Sequence, residues 1–353
     1  MISTLHKKTV PSPTTELAAK RPGSSKSSWQ QAVAKYRHSD RLRSVWQIVN
    51  TLLPYFVLWY LMYRSLEFSY WLTLALSILA AGFLMRTFII FHDCGHSSFF
   101  ESRRANNALG ILTGILTFTP YYRWRHDHAV HHATSGDLDE RGVGDVWMMT
   151  VQEYLDSPPW KRMAYRLFRY PPVMFGLGPF FVFVILQRFA RGAAGKRERY
   201  SVHWTNLALL GILALMGATI GIKAYVLIQV PIMVIAGAAG VWMFYVQHQF
   251  EGVYWERHDN WNYATSALKG SSFYQLPRVF QWFTGNIGFH HIHHLGPRIP
   301  NYNLERCYRE NSMFQEVKPI TLRTSLKSLR LRLWDETGHR LVGFGYLKTL
   351  SAE

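Results

Sequence analysis

The chain has 353 residues, enough for one large or two modest domains, with 39 Lys and Arg against 22 Asp and Glu. A net charge of +17 suits an anionic leaflet or an acidic partner, and the absence of any recognisable nucleic-acid module argues against nucleic acid. Two cysteines, Cys94 and Cys307, cannot build a disulfide framework and point to a reducing compartment.

Residues 1–44 are rich in Ser, Thr, Pro and Lys, have no apolar signal-peptide core, and are expected to form a disordered basic cytoplasmic arm. A plastid-type transit peptide is the lesser alternative. Residues 45–63 and 68–91 each approach the ~20 apolar residues that cross a bilayer. The short turn between them predicts a hairpin. Trp46, Tyr63, Tyr70 and Trp71 sit near its ends as interfacial anchors do. The basic arm sets the N-terminus inside, so the second crossing returns to the cytoplasm and delivers His92 and His96 there. Arg86 lies less than two turns earlier and can snorkel or pair near that interface.

Residues 108–120 are too short to span and too apolar for a free loop, which predicts an interfacial or re-entrant piece. The stretch 172–190 is broken by Gly176, Gly178 and Pro179. A crossing there would put Arg191, Lys196, Arg197 and Arg199 outside, so it is expected to dip in and return. Residues 203–222 and 225–247 form the second hairpin, with Gly217-x-x-x-Gly221 and Ala236–Gly240 as close-packing small residues. The predicted class is an all-α integral membrane protein: four crossings in two hairpins, interfacial helices, and a cytoplasmic helical cap. The membrane domain is expected to run over 45–320, and 321–353 to form a basic cytoplasmic tail.

Three histidine boxes punctuate this layout: His92-Asp-Cys-Gly-His96, His128-Ala-Val-His131-His132 and His290-His-Ile-His293-His294. Spacings of three and four stack imidazoles on one helix face. Eight such nitrogens converging are enough for two metal ions and too many for one. Scattered core or surface histidines would not fall into three boxes beside apolar segments. The last crossing ends at His248, which arrives at the same surface and is expected to add a ninth ligand.

Imidazole suits Zn, Cu, Fe and Ni, so ligand type alone leaves the metal open. A structural zinc site usually uses thiolates, and the zinc-protease string His-Glu-x-x-His is absent. Di-iron carboxylate bundles need two Glu-x-x-His pairs, and this chain has one, Glu336-Thr-Gly-His339. Asp93, Asp127, Asp137, Asp139 and Asp145 lie near the boxes, where carboxylates orient ligand imidazoles. For Asp137, Asp139 and Asp145 a solvated acidic loop is an equal reading.

Together HDCGH, WRHDHAVHH, the Gln247-His248 pair and GNIGFHHIHH resemble the membrane fatty acid desaturases, nearest the bacterial acyl-lipid delta-12 and delta-5 enzymes. The resemblance covers about 90–320. It implies a non-haem centre of two iron ions that uses O2 to remove two hydrogens from an acyl chain of membrane lipid. Matched residue by residue, the ligands are His92, His96, His128, His131, His132, His290, His293 and His294, with His248 additional. Asp93, Asp127, His126, His291 and Asn286 stand beside them as supporting residues.

The acyl-CoA branch of the family spaces its first box one residue wider and carries Asn one turn before the additional histidine. Phe244 occupies that position here, which favours an acyl-lipid substrate. No His-Pro-Gly-Gly string occurs, so a fused cytochrome b5 domain is not expected, and electrons are expected from a separate ferredoxin or cytochrome b5. Residues 298–353 hold ten Lys and Arg against six Asp and Glu, a docking face centred on Arg323, Lys327 and Arg330, or equally a face for anionic lipid. The oligomeric state is not legible.

A bacterial inner membrane with the active site facing the cytoplasm is expected. Among carbon positions delta-12 (omega-6) is read first, then delta-5 and delta-9. The competing function is a related hydroxylase or ketolase on a sterol, sphingoid, carotenoid or alkane. A transporter would need polar groups along its crossings, and these are nearly free of charge.

Overall fold

The computed structural model describes residues 28–190, 192 and 195–350. Four helices are long and apolar enough to cross a bilayer: α2 (Arg41–Ser65), α3 (Tyr70–Gly95), α9 (Lys196–Thr219) and α10 (Ile222–His248). At 24 to 27 residues each rises roughly 36–40 Å, more than the ~30 Å hydrocarbon core. The helices overrun the apolar windows because their polar first turns, such as Lys196–Arg199, stay helical outside the hydrocarbon.

Local chemistry sets the ends. Asp40 caps α2 by accepting from the Leu42 and Arg43 amides. The first hairpin turn is pinned by Ser65 and Thr73, whose hydroxyls meet at 2.7 Å. Gly221 turns the second hairpin with φ of +86°, a conformation that costs glycine no Cβ clash. Pro54 and Pro231 lie inside α2 and α10, as bilayer helices tolerate when neighbours support the freed carbonyl.

Helix α3 is the most buried of the four and α9 the least. Met62, Ala80, Ala81, Leu84, Ile228 and Ile232 close the seam among α2, α3 and α10. Leu53, Phe56, Trp71, Ile78, Leu207, Leu210 and Leu215 stay exposed. In water that apolar surface would be costly, and in a bilayer it meets lipid. Arg86 is buried in α3, donating to Thr51 Oγ1 at 3.1 Å and to the Trp282 carbonyl, with its guanidinium 3.9 Å above the Trp282 ring.

Residues 108–116 of the stretch read as interfacial fall on α4 (Arg103–Leu116), whose 14 residues are too few to span, and 117–120 form the turn into the next helix. Gly110 lets the Tyr121 ring lie against α4, because a Cβ there would come within 2.2 Å of it. Helix α5 (Tyr121–Thr134) follows directly. Beyond the two-residue strand β1 (Met149–Thr150), α6 (Val151–Asp156) leads to α7 (Pro159–Phe168). After a 63° bend, residues 172–188 run as π-helical turns around a short α8 (Gly178–Phe180) and close in a 3-10 turn.

One flank of that segment is tied to the end of α10 that carries His248, the other to α9 and the turn before α5. Arg169 donates to Tyr245 Oη and Gln249, and Arg188 to the Phe118 carbonyl and Asn206. Of the small residues of α10, Gly237 receives Pro179 at 3.0 Å. The close packing expected between α9 and α10 is used there to seat α8.

The cap contains α11 (Tyr263–Lys269), α12 (Arg278–Phe283), α13 (His290–Leu295) and α14 (Asn301–Glu310). Two small sheets complete it: β1 with β4 (Leu333–Asp335) and β5 (Arg340–Val342), and β2 (Phe273–Gln275) parallel to β3 (Pro319–Thr321). Two sequence expectations are corrected here. Residues 28–44 are no free arm, since α1 (Ser28–Ala34) docks on the cap, where Val33 and Tyr36 are buried. Residues 1–27 of the expected arm lie outside the described residues. The boundary drawn at 320/321 falls inside β3, and the tail buries Leu333 and Trp334 in the cap. Charge counting sees neither, because a basic segment with one apolar residue per turn still has a face to bury.

Candidate metal centre

Each histidine reaches the centre at a helix end or on one helix face. Helix α3 carries His92 in its last turn, and His96 follows at its C-cap. Helix α5 presents His128, His131 and His132. Helix α10 ends on His248, and α13 supplies His290, His293 and His294. The nine imidazoles sort into two groups, each with its ligand atoms within 4.8 Å of one another: His92, His96, His128, His132 and His293, then His131, His248, His290 and His294. The second box is divided, because His131 is turned about 100° from His132 on α5.

Neighbouring Nε2 atoms face each other. His132 meets His128 at 3.1 Å and His293 at 3.0 Å; His248 meets His131 at 3.2 Å and His290 at 2.9 Å; His290 meets His294 at 3.1 Å. A neutral imidazole has one N–H, so His132 Nε2 cannot satisfy both neighbours with protons. A cation between them can. Two nitrogens ~2.1 Å from one ion at a right angle stand ~3 Å apart, the separation found here.

Among the described residues, buried His96 Nε2 has no hydrogen-bond partner, which fits an atom meant for a metal. Burial first, then the neighbouring imidazoles, pushes His128, His132, His290, His293 and His294 well below the ordinary histidine range, and His96 likewise. All six stay neutral with lone pairs available. The residues present therefore fit two divalent ions of the kind imidazole prefers.

Two carboxylates stand behind the imidazoles. Asp93 Oδ1 lies 3.1 Å from His92 Nδ1, and Asp145 Oδ1 lies 2.6 Å from His131 Nδ1. His248 Nδ1 is 3.3 Å from the Gly270 carbonyl. Each contact turns Nδ1 into a donor and leaves Nε2 for the centre.

Other residues expected beside the boxes stand elsewhere. Asp127 pairs with Arg123 at 2.7 Å, one helical position away from the face that carries His128. His126 belongs to neither group. His291 Nε2 lies 3.2 Å from the Phe314 carbonyl and its ring packs against Phe273, so of the adjacent pair only His290 joins the second group. Asn286 sits one step further out, donating to the Asn301 carbonyl. Asp137 pairs with exposed His258, and Asp139 with Arg257. Arg323 and Arg330 are exposed, while Lys327 is paired with Glu251 at 3.2 Å.

Two neighbours, Trp124 and Asn301, escaped the sequence reading, and Phe244 was read there only as a mark of substrate class. Trp124 stacks on His128 with ring centroids 4.3 Å apart, and its aromatic place inside WRHDHAVHH was the available signal. Phe244 lies 5.1 Å from His131 and 5.2 Å from His248, ring to ring. Asn301 meets Asp93 across 208 positions of chain and carried no local signal.

The comparisons with known proteins bear on this geometry directly. Residues 69–321 match the fatty acid desaturase family, a region that holds all nine imidazoles. The chain is 50% identical over 316 residues to the "Fatty acid desaturase" of Bacillus subtilis, covering 90% of each. This chain belongs to the fatty acid desaturase family. More distant desaturases are similar over the same core. The "sn-1 oleoyl-lipid 12-desaturase" of a Picosynechococcus is 28% identical over 70% of this chain and 71% of its own. The "sn-1 acyl-lipid omega-3 desaturase (ferredoxin)" of a Synechocystis is 26% identical over 66% and 64%. A desaturase is an oxidoreductase, and a histidine cluster able to hold metal ions at the ends of membrane helices is the apparatus it needs.

Proposed function

We propose that this desaturase is O2-dependent and introduces a cis double bond into an acyl chain of membrane lipid, with delta-12 (omega-6) as the position tested first. The observation that carries this reading is the division of nine imidazoles into groups of five and four, next to apolar surface open to the bilayer. On this reading the first group and the second each hold one iron ion, with His92, His96, His128, His131, His132, His248, His290, His293 and His294 as ligands. Bound there, two irons would supply the O2-driven oxidation that an unactivated methylene pair requires.

The protein's own residues bind and orient. A groove of about 430 Å³ runs along α3 and α10, lined by Ile78, Leu79, Gly82, Met85, Ala236 and Phe283 among others. Its nearly unbroken apolar lining suits an alkyl chain and offers nothing to a polar substrate. Met85 lies seven positions before His92, about 10 Å along α3, so a chain in the groove lies within reach of the centre. Trp124 and Phe244 cover imidazoles of the first and second groups and keep water from the reacting carbons. Asp93 and Asp145 hold two ligand rings in place. Positioning then sets which carbon pair reacts, with no nucleophile or acid–base pair involved.

Relatives named as 12-desaturases support delta-12, and the Bacillus relative's name states no carbon position. A separate ferredoxin or cytochrome b5 would supply electrons, as one relative's name prints ferredoxin. The basic cap and the positive-inside rule support an inner-membrane protein with the centre toward the cytoplasm.

Expression in a bacterium with a simple lipid pool, followed by gas chromatography–mass spectrometry of its fatty acids, tests this. A new monoene or diene with a bond at carbon 12 is expected. A bond elsewhere overturns the position alone. Oxygenated lipid without a new double bond overturns desaturation in favour of hydroxylation.

A further inference from the structure

The Asp93 carboxylate is 1% exposed and has no Lys or Arg partner among the described residues. Its Oδ1 faces His92 Nδ1. Its Oδ2 accepts twice from one residue: the Asn301 amide at 2.7 Å and Asn301 Nδ2 at 2.9 Å. Asn301 opens α14 behind Pro300, which has no side-chain cap to offer. Asp93 therefore caps α14 from another part of the chain, at the helix end that favours negative charge. Asn301 is itself 2% exposed and held from below, since its carbonyl accepts from Asn286 Nδ2 and Asn286 Oδ1 accepts from Gln281 of α12.

We propose that Asn301 is a positioning residue for the first histidine group, fixing the Asp93 carboxylate and through it the tautomer and ring plane of His92. With both donors engaging Oδ2, the carboxylate cannot rotate, and Oδ1 accepts from His92 Nδ1–H. His92 Nε2 is then held as a bare lone pair toward the centre. A carboxylate free to rotate would let His92 take the other tautomer, which cannot bind a metal through Nε2. Asp145 serves the second group from a loop, where among the described residues its Oδ2 accepts only a long contact from the Gly142 amide at 3.4 Å, which separates the two groups in a testable way. The inference rests on reading His92 as a ligand.

The test uses the full-length, iron-loaded protein and measures iron retained per chain against rising chelator, with Mössbauer spectra of the two iron environments. Asn301→Ala is expected to lose one of two irons at about 10–100-fold lower chelator, with one spectral component altered and the other unchanged. Asn301→Ala keeps the backbone N–H on Oδ2 and loses only the Nδ2 donor, so Asp93→Asn should be at least as severe, and the double variant no worse than Asp93→Asn. Asn303→Ala is the control: it lies on the same helix but donates to the Tyr36 and His38 carbonyls, and should hold both irons as the parent does. Unchanged retention in Asn301→Ala, or loss of both irons together, overturns the proposal. If Asn301→Ala does not fold, Asp93→Asn decides on the same criteria. His92→Ala separates the two readings. Retention of both irons there overturns His92 as a ligand, whereas loss of one beside an unaffected Asn301→Ala overturns Asn301 alone.

Discussion

His131 Nδ1 stands 2.6 Å from Asp145 Oδ1, and the same ring turns its Nε2 to His248 at 3.2 Å. The imidazole is held from behind by a carboxylate and presented forward to the second group. Gly144 beside it has φ of +75°, and a Cβ there would come within 3.0 Å of both the Asp127 carbonyl and His131 Cβ. Asp145→Asn keeps the shape and removes the charge that favours the Nδ1–H tautomer. Metal affinity at the second group should fall about 10–100-fold, with product formation falling alongside. Iron content per chain and turnover measured together check this.

The third box separates two adjacent histidines. His290→Ala should abolish product while the protein stays in the membrane, as should His131→Ala and His293→Ala. His291→Ala should keep both irons and most activity, because its ring lies against Phe273 and the Phe314 carbonyl instead. Its cost should be in stability, about 1–3 kcal/mol for the unpaired buried carbonyl. Desaturation retained by iron-loaded His290→Ala and lost by His291→Ala would reverse the assignment.

Removing metal should destabilise the cap more than the crossings. Nine imidazoles facing one another, seven of them buried and two half-buried, gain a shared partner only with ions bound. A ligand at 100 times its Kd stabilises by about 2.7 kcal/mol, so chelation should lower the cap's melting temperature and restore it on adding iron back. Identical melting curves with and without iron would contradict this.

Glu310 anchors α1 by accepting from Lys35 Nζ and Tyr36 Oη, each at 2.7 Å. Hydrogen bonds from Arg306, Lys35 and Tyr36 push its carboxyl down to about 2. The folded value lies below the unfolded carboxyl value of about 4.3, so the anchor is fully present above that pH. It is lost as pH falls toward 2. Hydrogen exchange of α1 amides should therefore quicken between about pH 4 and 2, and Glu310→Gln should abolish the dependence.

Charge reversal at Arg323 and Arg330 should slow turnover with an acidic electron carrier, most at low ionic strength where screening is weakest. Lys327 already pairs with Glu251, so reversing it should add less than either arginine. Turnover compared at low and high salt, with carrier limiting, checks the ranking. Equal rates at low salt would remove this face as the docking site.

Much of this architecture was readable along the chain. Runs of about 20 apolar residues could only be crossings, because a bilayer leaves no other way to satisfy a backbone. Spacings of three and four put the boxes on helix faces, and all nine expected imidazoles converge. Periodicity does not report which way a residue one position off that face turns, and so Asp127, His126 and His291 stand apart from the centre. The order in residues 28–44 was hidden for a related reason: Trp29, Val33 and Tyr36 are widely spaced apolar residues whose burial depends on a cap made elsewhere.

By itself, then, the sequence determined the helical class, the four crossings and the identity of the metal-binding residue type, all of which follow from local composition and spacing. Only the tertiary structure decided how nine imidazoles divide between two groups, that His291 turns instead to the Phe314 carbonyl, and that Asn301 holds Asp93 across 208 positions. These are contacts between distant segments. Their geometry depends on helix packing, and no periodicity within a segment encodes it.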